Sequence, residues 1–248
     1  MKKLSTLLLL FIAQFSIAQT ISTDAPSVSA GASTVGKGIF QIETRLQYTR
    51  FDFGHSVQLP SNLFRFGIGN SFELRLTNGI TKGTFTSPAA IPFTLGFKAE
   101  LMNKPEGNTQ MAFLMSLNRP DFEAENYGGN ATLAVNHTLG DRNNIGYNVG
   151  FNYQTLSGGT SESFGILSSV IYSHNFSDKL TFFTELYGSY GKNTSVNTEE
   201  ISFNFDTGFM YLVTDRFQID YSYGIGISDE MTFHALGFNF MIGPRKKK

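Results

Sequence analysis

The feature that most constrains this chain is alternation. The stretch "TDRFQIDYSYGIGI" (214–227) opens on a turn-like Thr-Asp-Arg. Phe217, Ile219, Tyr221, Tyr223, Ile225 and Ile227 then alternate with Gln218, Asp220, Ser222, Gly224 and Gly226. A period of two places one set on each face of a strand. About twelve segments read this way: 39–48, 62–69, 71–80, 89–101, 109–118, 130–139, 145–155, 163–173, 180–190, 201–211, 214–227 and 232–242. Most are close to the length of about 9–11 residues that a tilted transmembrane strand requires. The segment 163–173 is the most ambiguous in parity.

The connections carry information too. Those at 69–71, 103–108, 140–144, 177–179 and 214–216 are short and rich in Gly, Asn and Asp, as tight hairpins demand. Those at 49–61, 81–88, 119–129, 156–162 and 191–200 read as longer loops. Short periplasmic turns alternating with longer outer loops are what an outer-membrane barrel predicts, and an even strand count puts both chain ends on the periplasmic side.

Alternation alone does not say whether the greasy face meets a protein core or lipid. Composition decides it. Charged residues are only 16% of the chain, against 25 Phe and 10 Tyr. A soluble exterior shows many Lys and Glu, whereas here the wet strand faces are mostly Gly, Ser, Asn and Thr. The expectation is therefore an all-β fold: a transmembrane, antiparallel, up-and-down barrel of about twelve strands. Its greasy face points to outer-membrane lipid and its wet face lines a lumen. A soluble sandwich or lipocalin-like barrel is the alternative.

The ends fit an exported protein. Met1-Lys2-Lys3, an apolar run from Leu4 to Ile17 and the small-x-small Ser16-Ile17-Ala18 read as a signal peptide over 1–18, cut after Ala18. Absence of Cys removes a lipid anchor, a disulfide framework and a thiolate metal site. Without Lys2 and Lys3, 17 basic residues face 20 acidic ones, a net charge of −3. No basic patch suggests nucleic acid as a partner. The barrel spans 39–242, followed by a tail, 243–248, that ends Arg245-Lys246-Lys247-Lys248. Residues 19–38 are small and polar. A flexible periplasmic tail is the default reading, as termini usually are, and a lumen plug is the alternative.

Thr23-Asp24-x-Pro26, followed by Thr34-Val35-Gly36-Lys37-Gly38-Ile39-Phe40-Gln41-Ile42-Glu43, carries a resemblance. It is similar to the opening of the outer-membrane transporter family of the meta-pathway of phenol degradation. The turn phrases Asp141-Arg142, Asp178-Lys179 and Asp215-Arg216 are similar as well. Ala25 stands where that family usually has Arg, and Gly36 where it often has Pro. The resemblance implies uptake of small, aromatic or hydrophobic molecules.

Candidate functional residues follow from parity. Glu43/Arg45, Glu73/Arg75 and Lys98/Glu100 are pairs at i, i+2, hence on one face, the lumen face. Glu185, Asp206 and Asp220 share the inward parity on later strands without basic strand partners. These nine residues form either a charged constriction that filters solutes or a structural network that neutralises a narrow lumen, and the acidic surplus leans toward cations. Asp121, Glu123, Glu125, Glu162, Glu199, Glu200, Asp229 and Glu230 read as a solvated acidic rim. His55, His137, His174 and His234 are scattered, without a His-x-Ser arrangement or metal-ligand spacing, so neither catalysis nor a cofactor is expected. Gly36-Lys37-Gly38 lacks the glycine spacing of a phosphate loop. The sequence therefore points to an outer-membrane channel or transporter for passive uptake of a small solute, with a non-conducting, structural or surface-interaction barrel as the alternative.

Overall fold

The computed structural model describes residues 20–24, 26–84, 88–103, 108–121, 126–156 and 161–244. The signal peptide, Ala25, Glu123, Glu125 and the basic residues 245–248 lie outside the described residues.

The twelve strands are β1 (Phe40–Phe51), β2 (Gly54–Gly67), β3 (Phe72–Gly83), β4 (Ala89–Asn103), β5 (Thr109–Asp121), β6 (Asn126–Leu139), β7 (Asn143–Leu156), β8 (Ser161–Asn175), β9 (Leu180–Asn193), β10 (Thr198–Thr214), β11 (Phe217–Gly226) and β12 (Met231–Ile242). Each pairs antiparallel with its neighbours in sequence, and β1 closes on β12 from Phe40↔Ile242 to Phe51↔Met231. Closure leaves no free edge, so every strand finds backbone partners on both sides, as lipid requires.

Parity sorts the side chains as the alternation predicts. Leu95, Leu186 and Phe203 are more than half exposed on the outer wall, while Glu73, Lys98 and Asp206 are fully buried inside. Water contact at each outward Leu or Phe would forgo roughly 1.5–3 kcal/mol of apolar burial, so this surface belongs in a bilayer. All four histidines sit in ring pairs: His55 with Tyr48, His137 with Tyr147, His174 with Phe176, and His234 with Tyr221 and Tyr223. Such aromatic pairs suit the girdles of an outer-membrane barrel.

The expected alternation of short and long loops is not what the structure shows. β1 and β2 are joined by residues 52–53 alone, and β9 and β10 by 194–197. The residues read as long loops extend the strands instead, so β10 reaches 17 residues. Residues past the ends read from sequence still pair across their hairpins, as Thr49–Phe51 do with Gly54–Ser56 and Thr198–Glu200 with Gly191–Asn193. We call the rim that carries both barrel ends the lower rim. Register breaks occur at Arg45/Gln47, Gln58/Ser61 and Thr77/Gly79 on three adjacent strand pairs, and such breaks bend a barrel wall.

Candidate functional site

The barrel is filled by its own N-terminal segment. Ile21 N donates to Asp215 O at 2.8 Å on the lower rim. Above it, Gln218 Nε2 donates to Thr23 Oγ1 at 2.8 Å. The segment turns around Val28, which is 40% exposed at its tip. It then descends, and Gly38 N donates to Gly67 O at 2.7 Å. Gly38 has φ +75°, a left-handed conformation that lets the chain swing into β1 at little cost. Gly67 serves by close approach: a Cβ there would lie 2.6 Å from Val35 O and collide with Gly36 O. At the base, Ile21, Val35, Ile39 and Met241 form an apolar cluster, with Leu212 packed against it.

Asp24 is the hub of the interior. Its carboxylate accepts from Arg75 Nη1 at 2.6 Å and from Lys98 Nζ at 2.8 and 2.9 Å, with Arg65 Nη1 at 3.7 Å. Arg65 also grips Glu43 at 2.9 Å and Glu73 at 2.9 Å, and Arg75 reaches Glu73 at 2.7 Å. Three cations thus meet three carboxylates, and the group is neutral as a whole. The same side chains hold backbone of the segment. Arg65 donates to Ser22 O and Ser33 O, and Lys98 to Gly31 O and Ser33 O. Glu43 accepts from Asp24 N, Glu73 from Val35 N and Glu100 from Thr34 N. A buried ion group of this kind is tolerable only when its hydrogen bonds are this complete.

On the other side of the segment, Glu185 accepts from Val28 N at 2.7 Å, from Ser29 N at 2.8 Å and from the Ser29 hydroxyl, which also meets Ser169 Oγ at 2.6 Å. Asp206 lies directly opposite Glu185 in register. Neither oxygen of Asp206 accepts from a protein donor. Asp220 lies over Gly237, where any side chain would collide with its carboxylate, and accepts from Asn239 Nδ2 at 2.6 Å. Arg45 is the cation whose field reaches Glu185, Asp206 and Asp220.

The remaining wall is uncharged. Ala30 and Ala32 of the segment pack on Ala112, Leu114 and Ala134. A cavity of about 280 Å³ lies on this side, edged by Val28, Ala30 and Arg75 against β3–β8. A second of about 130 Å³, edged by Pro26, Ala30, Ile171, Phe183 and Met210, lies beyond Ala30. A third, of about 400 Å³ toward the upper rim, shares Asn130, Thr132 and Leu167 with the first. The expected wet lumen face is therefore only half right, because Leu114, Leu167, Ile171 and Phe183 also turn inward.

All nine sequence-derived charges reach the interior, and one of the three expected pairs is bonded there. Glu73/Arg75 is bonded within its strand. Glu43 instead bonds Arg65, Lys98 bonds Asp24 and Glu100 bonds Thr34. Alternation fixes the face but not the rotamer, and the intervening segment supplies better partners. Sequence reasoning missed Arg65 and Asp24. Arg65 was legible, since it sits between Phe64 and Phe66 on the opposite parity. Of the carboxylates read as an acidic rim, Glu199 lies in β10 and bonds Lys192 of β9 at 2.8 Å. Glu230 faces Asp52 across the upper rim, and that neighbouring carboxylate raises the pKa of Glu230. No cluster among the described residues could hold a metal ion.

A closed twelve-stranded barrel with an apolar outer belt and a polar, occupied interior defines an outer-membrane β-barrel protein. The chain belongs to the family described as "Putative MetA-pathway of phenol degradation", whose profile matches residues 23–242. Its fold is similar to that of the COG4313 outer membrane channel from Pseudomonas putida F1, with a TM-score of 0.68 at 9% identity over 87% of this chain and 100% of that one. It is also similar to the NanC porin, with a TM-score of 0.61 at 10% identity over 80% and 98% of the two chains. The KdgM porin, solved in complex with disordered oligogalacturonate, gives 0.55 at 14% over 81% and 98%. No curated protein matches the chain by sequence.

Proposed function

We propose that the protein is a channel for passive uptake of small molecules across the outer membrane, with residues 20–38 acting as a plug that sets the width of its lumen. The observation that carries this reading is the lumen itself. The segment fills the charged side and leaves cavities of about 280 and 130 Å³ beside it. Membership of a family named for phenol degradation supports an aromatic or hydrophobic cargo. The acidic surplus of Glu100, Glu185, Asp206 and Asp220 over Arg45 supports a cation preference for any ion that leaks through. Glu43, Arg65, Glu73, Arg75 and Lys98 act first as anchors of the segment and only through it as a filter.

One observation favours the non-conducting alternative. At the level of Asp24 the ion group is almost wholly buried, with Arg65 at 1% and Lys98 at 0% exposure. The test is solute flux into proteoliposomes together with single-channel conductance in a planar bilayer, for the full chain and for a form lacking residues 20–37. Flux in the full chain that widens on deletion supports the plugged channel. Silence in both forms overturns it and leaves a closed barrel that acts through its loops.

A further inference from the structure

One stretch of the lipid-facing wall is not apolar. Thr44, Asn62 and Asn78 share the outward face of β1, β2 and β3, and each lies opposite the next in register. Thr44 Oγ1 donates to Asn62 Oδ1 at 2.9 Å, and Asn62 Nδ2 donates to Asn78 Oδ1 at 3.0 Å. This rung crosses the apolar belt. Ile42, Phe64 and Leu76 lie one outward position below it, where Phe40 stacks on Phe64. Leu46 and Ile80 lie above it, below the Tyr48–His55 ring pair. On the β9–β10 wall, outward hydroxyls turn back onto strand backbone, Thr184 to Asp206 O and Thr207 to Phe183 O. The rung instead bonds sideways, and among the described residues nothing accepts from Asn78 Nδ2.

The wall is also broken at this level. β2 carries an extra residue at Leu59–Pro60 relative to both of its neighbours. Such a bulge leaves backbone groups off the ladder. Amides and unpaired backbone are costly against hydrocarbon and acceptable against protein. We infer that the β1–β3 face is a contact surface for a second copy of this chain in the same membrane. Two copies in one bilayer sit at one depth with the same end up, so a two-fold axis along the membrane normal brings each rung to its own image. The surrounding Ile42, Leu46, Phe64, Leu76 and Ile80 are uncharged, so like faces do not repel. The rung is directional, with an acceptor hydroxyl at its Thr44 end and a free donor at its Asn78 end. Two rungs related by that axis cross at Asn62, and the donor end of each lies on the acceptor side of the other. A self-matching, uncharged patch fits its own copy. The inference is independent of the channel reading, since each barrel keeps its own lumen.

The test uses the full chain in liposomes. It has no native cysteine. Phe64→Cys places one thiol beside Asn62, and Val170→Cys places one on β8, across the barrel from β2. With a short bis-maleimide, the expected result is a covalent dimer that forms about ten-fold faster at Phe64→Cys than at Val170→Cys. Adding Asn62→Leu and Asn78→Leu removes the rung and should slow that reaction about ten-fold, with heat-modifiable migration unchanged. If the double variant does not fold, Thr44→Val removes only the hydroxyl end and should slow it about three-fold. Equal rates at the two cysteine positions would show random collision and overturn the assignment. Undiminished cross-linking in a folded barrel without the rung would make the rung a brace between strands and overturn it too. Capture of a different protein at Phe64→Cys in native outer membranes, with no dimer of the chain itself, would overturn it in favour of that partner.

Discussion

Replacing Asp24 by Asn tests the ion group at its hub. The substitution keeps size and one acceptor but removes a charge that sits 2.6 Å from Arg75, 2.8 Å from Lys98 and 3.7 Å from Arg65. Three carboxylates then become two against three cations, and one positive charge is left buried without a counterpart. Breaking a buried ion group in this way costs about 3–5 kcal/mol. The barrel wall does not contain Asp24, so the cost falls on docking of the segment and not on strand pairing. At 1.4 kcal/mol per factor of ten, the docked-to-undocked ratio falls by about 10² to 10³·⁵. The chain has no cysteine, so Ala32→Cys, at a position with 0% exposure, becomes a single reporter. Its rate of labelling by a maleimide in proteoliposomes follows the undocked fraction. The expected result is labelling at least 100-fold faster with Asp24→Asn, roughly the lower bound of that range, and larger conductance steps that shift toward anions. Unchanged labelling and unchanged steps would refute the claim that Asp24 anchors the segment.

Other outcomes follow from the same geometry. Gly67→Ala places a methyl group against Val35 O and Gly36 O, so labelling at Ala32→Cys rises while barrel migration on a heat-modifiability gel stays unchanged. Glu185→Gln weakens three hydrogen bonds to Val28 and Ser29, at roughly 1–3 kcal/mol, and proteolysis near the tip of the segment should speed up without loss of the barrel. At the upper rim, the raised pKa of Glu230 beside Asp52 means that their contact is favoured while Glu230 is protonated and is lost as pH rises through its raised value. Protease access to residues 227–230 should therefore increase with pH in the acid range, and Glu230→Gln should remove that dependence.

What could be read from sequence, and what could not, divides along one physical line. Properties with a fixed period were legible. Alternation set the strand number, the barrel and the inward parity of Glu43, Glu73, Lys98, Glu185, Asp206 and Asp220, because a side chain on a strand can point to only two sides. Strand ends were not legible, since Asp52, Gly54 and Pro60 interrupt the run from 49 to 61 in sequence, yet Thr49–Phe51 still pair with Gly54–Ser56. Partners were illegible for a different reason. Glu43 and Arg45 share a face, yet Glu43 prefers Arg65 on the next strand and the backbone N–H of Asp24. Nothing local in Thr23-Asp24 announces that a chain with no periodicity will fold back into the lumen. The wall does not announce it either. Its inward carboxylates Glu43, Glu73, Glu100, Glu185, Asp206 and Asp220 already outnumber Arg45, Arg65, Arg75 and Lys98, so charge balance alone calls for no further anion. What draws Asp24 in is geometry that appears only on folding: Arg75 and Lys98 converge on one point between the strands, and the carboxylate of the segment reaches both at 2.6 and 2.8 Å.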